Sequence, residues 1–238
     1  MNTKKPGGAH LAAKGKKARR QEEDGKKQLR CGAILLAAFL LWTVLIKTVD
    51  VRPVGVNGSE IGLAAVNVWF HRVTGVHMGI YKVTDWLGMI PFAVCLAFGC
   101  LGLWQLLRRR KLTEVDPDIL LLGVYYVAVI LFYAFFELKP MNYRPILIEG
   151  AMEASYPSST TLLVLSVMPT LIFQVNRRIG QPKLRQLTAL VVLVFSAFMV
   201  LGRLISGVHW LTDIIGGVLL SAGLYLLYRG SVFLADAR

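Results

Sequence analysis

The chain of 238 residues is 55% hydrophobic, with a mean hydropathy of +0.56 and a formal net charge of +13. A soluble domain of this length is rarely so apolar, and the apolar residues fall in blocks of membrane-spanning length rather than in amphipathic stripes. These features exclude a soluble enzyme and define an integral membrane protein.

The positive charge does not point to nucleic acid. Ten of the Lys and Arg residues lie in positions 1–30, among Gly and Ala and without interleaved aromatics. That composition predicts a disordered cytoplasmic tail drawn to anionic lipid headgroups. The basic region is too long for a signal peptide, and no small-residue cleavage site follows the apolar run. Cys31, Cys95 and Cys100 lie in or beside apolar runs without metal-ligand spacing, and read as packing residues.

The first span is predicted over residues 31–48, followed by the loop sequence VDVRPVGVNGSE. IGLAAVNVWFHRVTG reads as a short surface or re-entrant helix. Further spans are expected over residues 84–107, 119–136, 158–175, 187–205 and 209–228. The expected fold is therefore all-α, a six-span bundle over residues 31–230 with a short tail at 231–238. By loop, twenty Lys and Arg fall on one side of these spans and seven on the other. The bias toward cytoplasmic positive charge places both termini inside, and Lys139, Arg144, Ser158, Arg203 and His209 at the outer end of the bundle. Three distant segments thus carry polar groups to one membrane face.

The most informative segment is GRLISGVHWLTDIIGG, residues 202–217. His209 and Asp213 are one helical turn apart, where a carboxylate can accept an imidazole N–H and fix its tautomer. Arg203 is a fixed positive fork suited to paired phosphate or carboxylate oxygens. KPMNYRP adds Lys139 and Arg144 in an outer loop. YPSSTT places Ser158, Ser159 and Thr160 at a helix start, where unpaired N–H groups and hydroxyls favour an anion.

Together these stretches resemble the type 2 phosphatidic acid phosphatase superfamily, the lipid phosphate phosphatases related to vanadium haloperoxidases. Its pattern is Lys, six residues, Arg-Pro; then Pro-Ser-Gly-His; then Ser-Arg, five residues, His, three residues, Asp. The third motif is met by Arg203, His209 and Asp213 at the family spacing. The resemblance implies that His209 is the nucleophile that becomes a phosphohistidine and that Asp213 orients it. It also implies that Arg144 and Arg203, with the groups around Ser158 and Ser159, hold the phosphoryl oxygens, and Lys139 is the remaining phosphate-binding candidate. No metal and no cofactor is expected, because arginines can supply the charge that phosphoryl transfer needs.

The sequence departs from the pattern at four positions. Glu137 occupies the family's lysine slot, Gly202 replaces a serine, and Ser159 and Thr160 replace Gly and His. The family histidine at the Thr160 position is the general acid that protonates the leaving oxygen, work a threonine cannot do near neutral pH. Three readings follow. Another group, among His71, His77, Glu149 and Glu153, supplies the proton; the substrate is a diphosphate, whose leaving phosphate needs none; or the chain binds a phosphorylated lipid without hydrolysing it. The leading expectation is a lipid phosphatase or diphosphatase of a bacterial plasma membrane. Its site would face outward and act on a polyprenyl diphosphate or a phosphatidic-acid-like lipid. The alternative is a non-catalytic phospholipid-binding protein of the same fold.

Overall fold

A computed structural model describes residues 7–237, with side chains from residue 15 onward. Eight α-helices follow in order: α1 (Gly7–Thr48), α2 (Ala64–Thr74), α3 (Met78–Leu87), α4 (Met89–Arg109), α5 (Pro117–Leu138), α6 (Ser159–Arg178), α7 (Pro182–Ile205) and α8 (Leu211–Asp236). Six helical units among the described residues are long and apolar enough to cross a membrane: α1, α3 continued by α4, and α5 to α8. The chain is an all-α, six-span membrane bundle, and α2 is the short helix expected in the first loop. The second span begins earlier than its apolar run, because α3 and α4 join through Gly88, whose N–H still bonds to the Thr84 and Asp85 carbonyls at 3.0 Å.

The basic segment differs from expectation. Among the described residues α1 runs unbroken from Gly7 into the first span, so the chain is helical where composition suggested disorder; residues 1–6 lie outside the described residues. The reason is local as well as tertiary. Lys, Arg, Glu, Gln and Ala are strong helix formers, and Arg19–Glu23 and Glu22–Lys26 pair one turn apart at 3.1 and 2.5 Å. The other end also extends, since α8 continues to Asp236.

Antiparallel α1 and α8 form the spine. A Cβ placed on Gly32 would stand 2.9 Å from the Gly223 carbonyl oxygen, and one on Gly25 would stand 3.0 Å from that of Gly230. Small residues at seven-residue spacing on both helices thus let the backbones approach, as bilayer helices require when burial alone does not drive them together. Beside this seam the core is aromatic and aliphatic, with Phe39, Leu122, Phe136, Tyr156, Leu162 and Leu220 all buried. Pro169 interrupts α6, and Tyr125 donates its hydroxyl to the nearby Ser166 carbonyl at 2.9 Å.

Charge pairs close the end of the bundle that carries the termini. Asp118 receives Arg177 at 3.1 Å and Arg178 at 2.8 Å, and Asp236 receives Arg177 at 2.7 Å. These pairs tie α5, α6 and α8 together and leave the opposite end free to carry a site.

Gly32→Val is expected to destabilise the protein by about 1–3 kcal/mol through overpacking of this seam. Gly15→Ala, where nothing lies within 4 Å, is expected to be neutral or to stabilise by roughly 0.5–1 kcal/mol. Thermal unfolding in detergent separates the two.

A candidate anion-binding active site

The site is assembled around the start of α8. Asp213 sits in the first turn of that helix, and its Oδ2 accepts the Trp210 N–H at 2.9 Å, satisfying a donor that the helix start leaves open. Its backbone carbonyl accepts the Ser158 N–H at 3.0 Å, and its Oδ1 receives the Asn142 amide at 3.5 Å. One residue therefore joins all three polar stretches. Gly216 and Gly217 permit this approach, since a Cβ on Gly216 would meet the Tyr156 ring at 2.5 Å and one on Gly217 the Ser158 carbonyl at 3.2 Å.

The loop between α5 and α6 folds back on itself. Arg144 N–H bonds to the Glu153 carbonyl at 3.1 Å and Ser155 N–H to the Asn142 carbonyl at 2.9 Å, while the Trp210 indole donates to the Tyr143 carbonyl at 2.9 Å. The turn that carries His209 is clamped from the first loop. Asn67 donates to Thr212 Oγ1 at 3.0 Å and accepts the Thr212 N–H at 3.2 Å, and the Ser206 carbonyl takes the His77 N–H at 2.9 Å. Gly207, at φ +69°, abuts the Gly75 carbonyl, so this turn needs glycine twice over.

Above this turn lies a polar cavity of about 750 Å³ between α3–α4, α5, α6 and α7. Arg144, Arg203, Ser159 and Thr160 line it, with Asp85, Glu137 and Glu153 as its carboxylates. Arg203 is 2% exposed: its Nε and Nη2 donate to Thr160 Oγ1 at 3.0 and 2.6 Å, and Nη2 also pairs with Asp85 at 2.7 Å. Arg144 pairs with Glu153 at 3.1 Å. Both guanidiniums stand over the Tyr81 ring, at 5.6 Å for Arg144 and 4.9 Å for Arg203. Among the described residues, Nη1 of each arginine and both ring nitrogens of His209 are buried without a hydrogen-bond partner. Buried donors of this kind are costly unless something fills them, and an anion with several oxygens does so.

His209 does not line the cavity; it is buried, at 2% exposure. Burial, then the charges of Arg144 and Arg203, hold its imidazole well below the usual histidine value of 6.5, so the ring is neutral and carries a free lone pair. Its Nδ1 stands 3.7 Å from Asp213 Oδ2. The two groups face each other as the i, i+4 spacing predicts, at a separation longer than a hydrogen bond.

The remaining sequence-derived residues divide. Ser159 and Thr160 line the cavity, whereas the Ser158 hydroxyl is fully buried and turns inward to cap α6, accepting the Thr161 N–H at 3.5 Å. Thr160 serves as the acceptor that orients Arg203. Lys139 is exposed and off the cavity wall; Lys47 instead anchors the loop through the Met141 carbonyl at 2.7 Å. Of the expected proton donors, only Glu153 reaches the cavity. His71 bonds to the Gly207 carbonyl at 3.0 Å and His77 to the Thr74 carbonyl at 2.9 Å, both as buttresses of the turn, and Glu149 is exposed elsewhere. Sequence reasoning missed Tyr81, Asp85 and Asn142. The first two lie on a helix more than a hundred positions from Arg203, and nothing local marks them.

Such a structure is a membrane-embedded helical bundle with an arginine-lined polar cavity and a neutral buried histidine under the influence of the same arginines. The PAP2 superfamily model matches residues 120–235, a segment that runs from α5 into α8. Among solved structures, the chain is similar to a transmembrane PAP2-type phosphatidylglycerolphosphate phosphatase from Bacillus subtilis. The TM-score is 0.60 at 17% sequence identity, covering 87% of this chain and 97% of that one. No curated protein matches the chain.

Gly202, where the family has serine, has a steric explanation. A Cβ there would lie 2.7 Å from the Thr84 methyl, and Thr84 is fully buried with its hydroxyl bonded to the Ile80 carbonyl. Gly202→Ser is therefore expected to push α3 from α7, lowering the melting temperature and displacing Asp85 from Arg203. Thr160→Val, which keeps the shape but removes the acceptor, is expected to weaken inorganic phosphate binding about ten-fold, an effect of roughly 1.4 kcal/mol. Calorimetric titration with phosphate measures it.

Proposed function

We propose that this protein is an integral-membrane lipid phosphatase that hydrolyses a phosphorylated lipid, a phosphatidic-acid-like monoester or a polyprenyl diphosphate, through a phosphohistidine on His209. The observation that carries the reading is that Arg144 and Arg203, each with a buried, unpartnered Nη1, line one cavity while their charge helps hold the His209 imidazole neutral. In this reading a ring nitrogen of His209 attacks phosphorus, and Asp213 stabilises the imidazolium character that develops. The two guanidiniums, fixed by Thr160, Asp85, Glu153 and Tyr81, hold the equatorial oxygens. Their preorganisation is what phosphoryl transfer asks of a protein. Water then attacks the phosphohistidine and releases inorganic phosphate.

The distribution of Lys and Arg supports cytoplasmic termini and a site at the outer face of a plasma membrane. The apolar cavity residues Met89 and Phe92, both exposed on α4, are suited to a lipid tail whose headgroup reaches the arginines. The basic face of α1 suits anionic headgroups on the opposite leaflet.

The test is phosphate release by purified protein in detergent with EDTA, from phosphatidic acid and from a polyprenyl diphosphate, with His209→Ala as the blank. The expected result is release that falls at least a thousand-fold in the variant, with ³²P retained on the wild-type chain after rapid quenching. Binding without release in either protein would favour the phospholipid-binding alternative. Because His209 is held below 6.5, its neutral form persists above that depressed value and is lost as pH falls through it. The acid limb of kcat/KM is therefore expected below pH 6.5.

A further inference from the structure

The reaction proposed above lacks a proton donor for the leaving oxygen, since Thr160 is occupied as an acceptor for Arg203. Three carboxylates line the cavity. Asp85 and Glu153 each pair with an arginine, and a proton on either would break the pair that positions it. Among the described residues, no ion pair engages Glu137, which lies on the last turn of α5. It occupies the position that carries lysine in the sequence pattern, so its charge is inverted where a phosphate is to be bound.

We propose that Glu137 is the general acid that protonates the leaving group, a role that rests on the phosphatase reading. A phosphate dianion cannot enter this cavity beside a free carboxylate without repulsion, and one proton on the carboxyl removes it. That proton then sits beside the reacting centre. As the His209 nitrogen–phosphorus bond forms and the phosphorus–oxygen bond to the lipid breaks, the Glu137 proton passes to the lipid oxygen, which leaves as an alcohol. The resulting carboxylate takes a proton from the water that attacks the phosphohistidine, restoring the acid as inorganic phosphate departs. The cavity also holds Tyr81, Tyr133 and Tyr143, but a phenol is by its chemistry a far weaker acid than a carboxylic acid.

Glu137→Gln keeps the shape and removes the transferable proton. With phosphatidic acid, whose alkoxide must be protonated, kcat is expected to fall by about 10²–10⁴ with KM little changed. With a polyprenyl diphosphate, whose leaving phosphate needs no proton, kcat is expected to change less than about ten-fold. The basic limb of the monoester pH profile should disappear in Glu137→Gln and return in Glu137→Asp. The groups facing residue 137 in that profile are Tyr133 on its own helix, Arg144 and Glu153 on the loop, Asp85 on α3 and Arg203 on α7.

Monoester activity that is unchanged or raised in Glu137→Gln would overturn the proposal and make the carboxylate merely repulsive. So would equal losses on both substrates, which mark a structural role, or a KM effect confined to amine-bearing lipids, which marks headgroup binding. A wild-type protein that turns over the diphosphate alone overturns it as well. Failure of the underlying reading looks different: His209→Ala then matches wild type on every lipid.

Discussion

The structure depends on the position of one buried carboxylate. Asp213 caps α8 through the Trp210 N–H, receives the Asn142 amide and faces His209. Its own carbonyl holds the Ser158 N–H. These partners come from all three polar stretches of the chain, so the first turn of α8 is where the site is assembled. A residue buried this deeply must have its oxygens satisfied, and satisfying them pulls the three stretches into register.

The arginines present the complementary problem. Taking a guanidinium out of water is expensive, and the bundle offsets that cost on one side only. Arg203 is supported by Thr160, Asp85 and the Tyr81 ring, and Arg144 by Glu153 and the same ring. Each keeps one Nη1 buried and unpartnered. The two cations are thereby fixed in place along one cavity. The same cations, added to burial, keep His209 neutral. An imidazole with a free lone pair and a rigid positive frame thus arise from a single arrangement of charge.

The bilayer sets the rest. Because lipid offers helices no hydrophobic reward for pairing, α1 and α8 meet through glycines, and charge pairs among Asp118, Asp236 and the 177–178 arginines close the end bearing the termini. The polar groups that remain collect at the other end, where loops and helix starts supply backbone donors.

Much of this was legible in the chain itself. Six apolar blocks gave the helical bundle, because spanning length and hydropathy are local properties. Arg203, His209 and Asp213 announced themselves by motif spacing: His209 and Asp213 flank the start of α8 four positions apart, and Arg203 lies on the last turn of α7, one short turn earlier in the chain. Other features were not legible. The helicity of the basic segment depends on packing along α8 as well as on its own propensities. Lys139 and Ser158 carried the right chemistry, yet one is exposed and off the cavity wall and the other is consumed as a helix cap. Tyr81, Asp85, Asn142 and the free state of Glu137 come from contacts between segments far apart in sequence. Sequence determined which groups are present and which helices carry them. Only the tertiary structure decided which of those groups share a cavity and which are already paired, because burial and pairing are properties of neighbours in space.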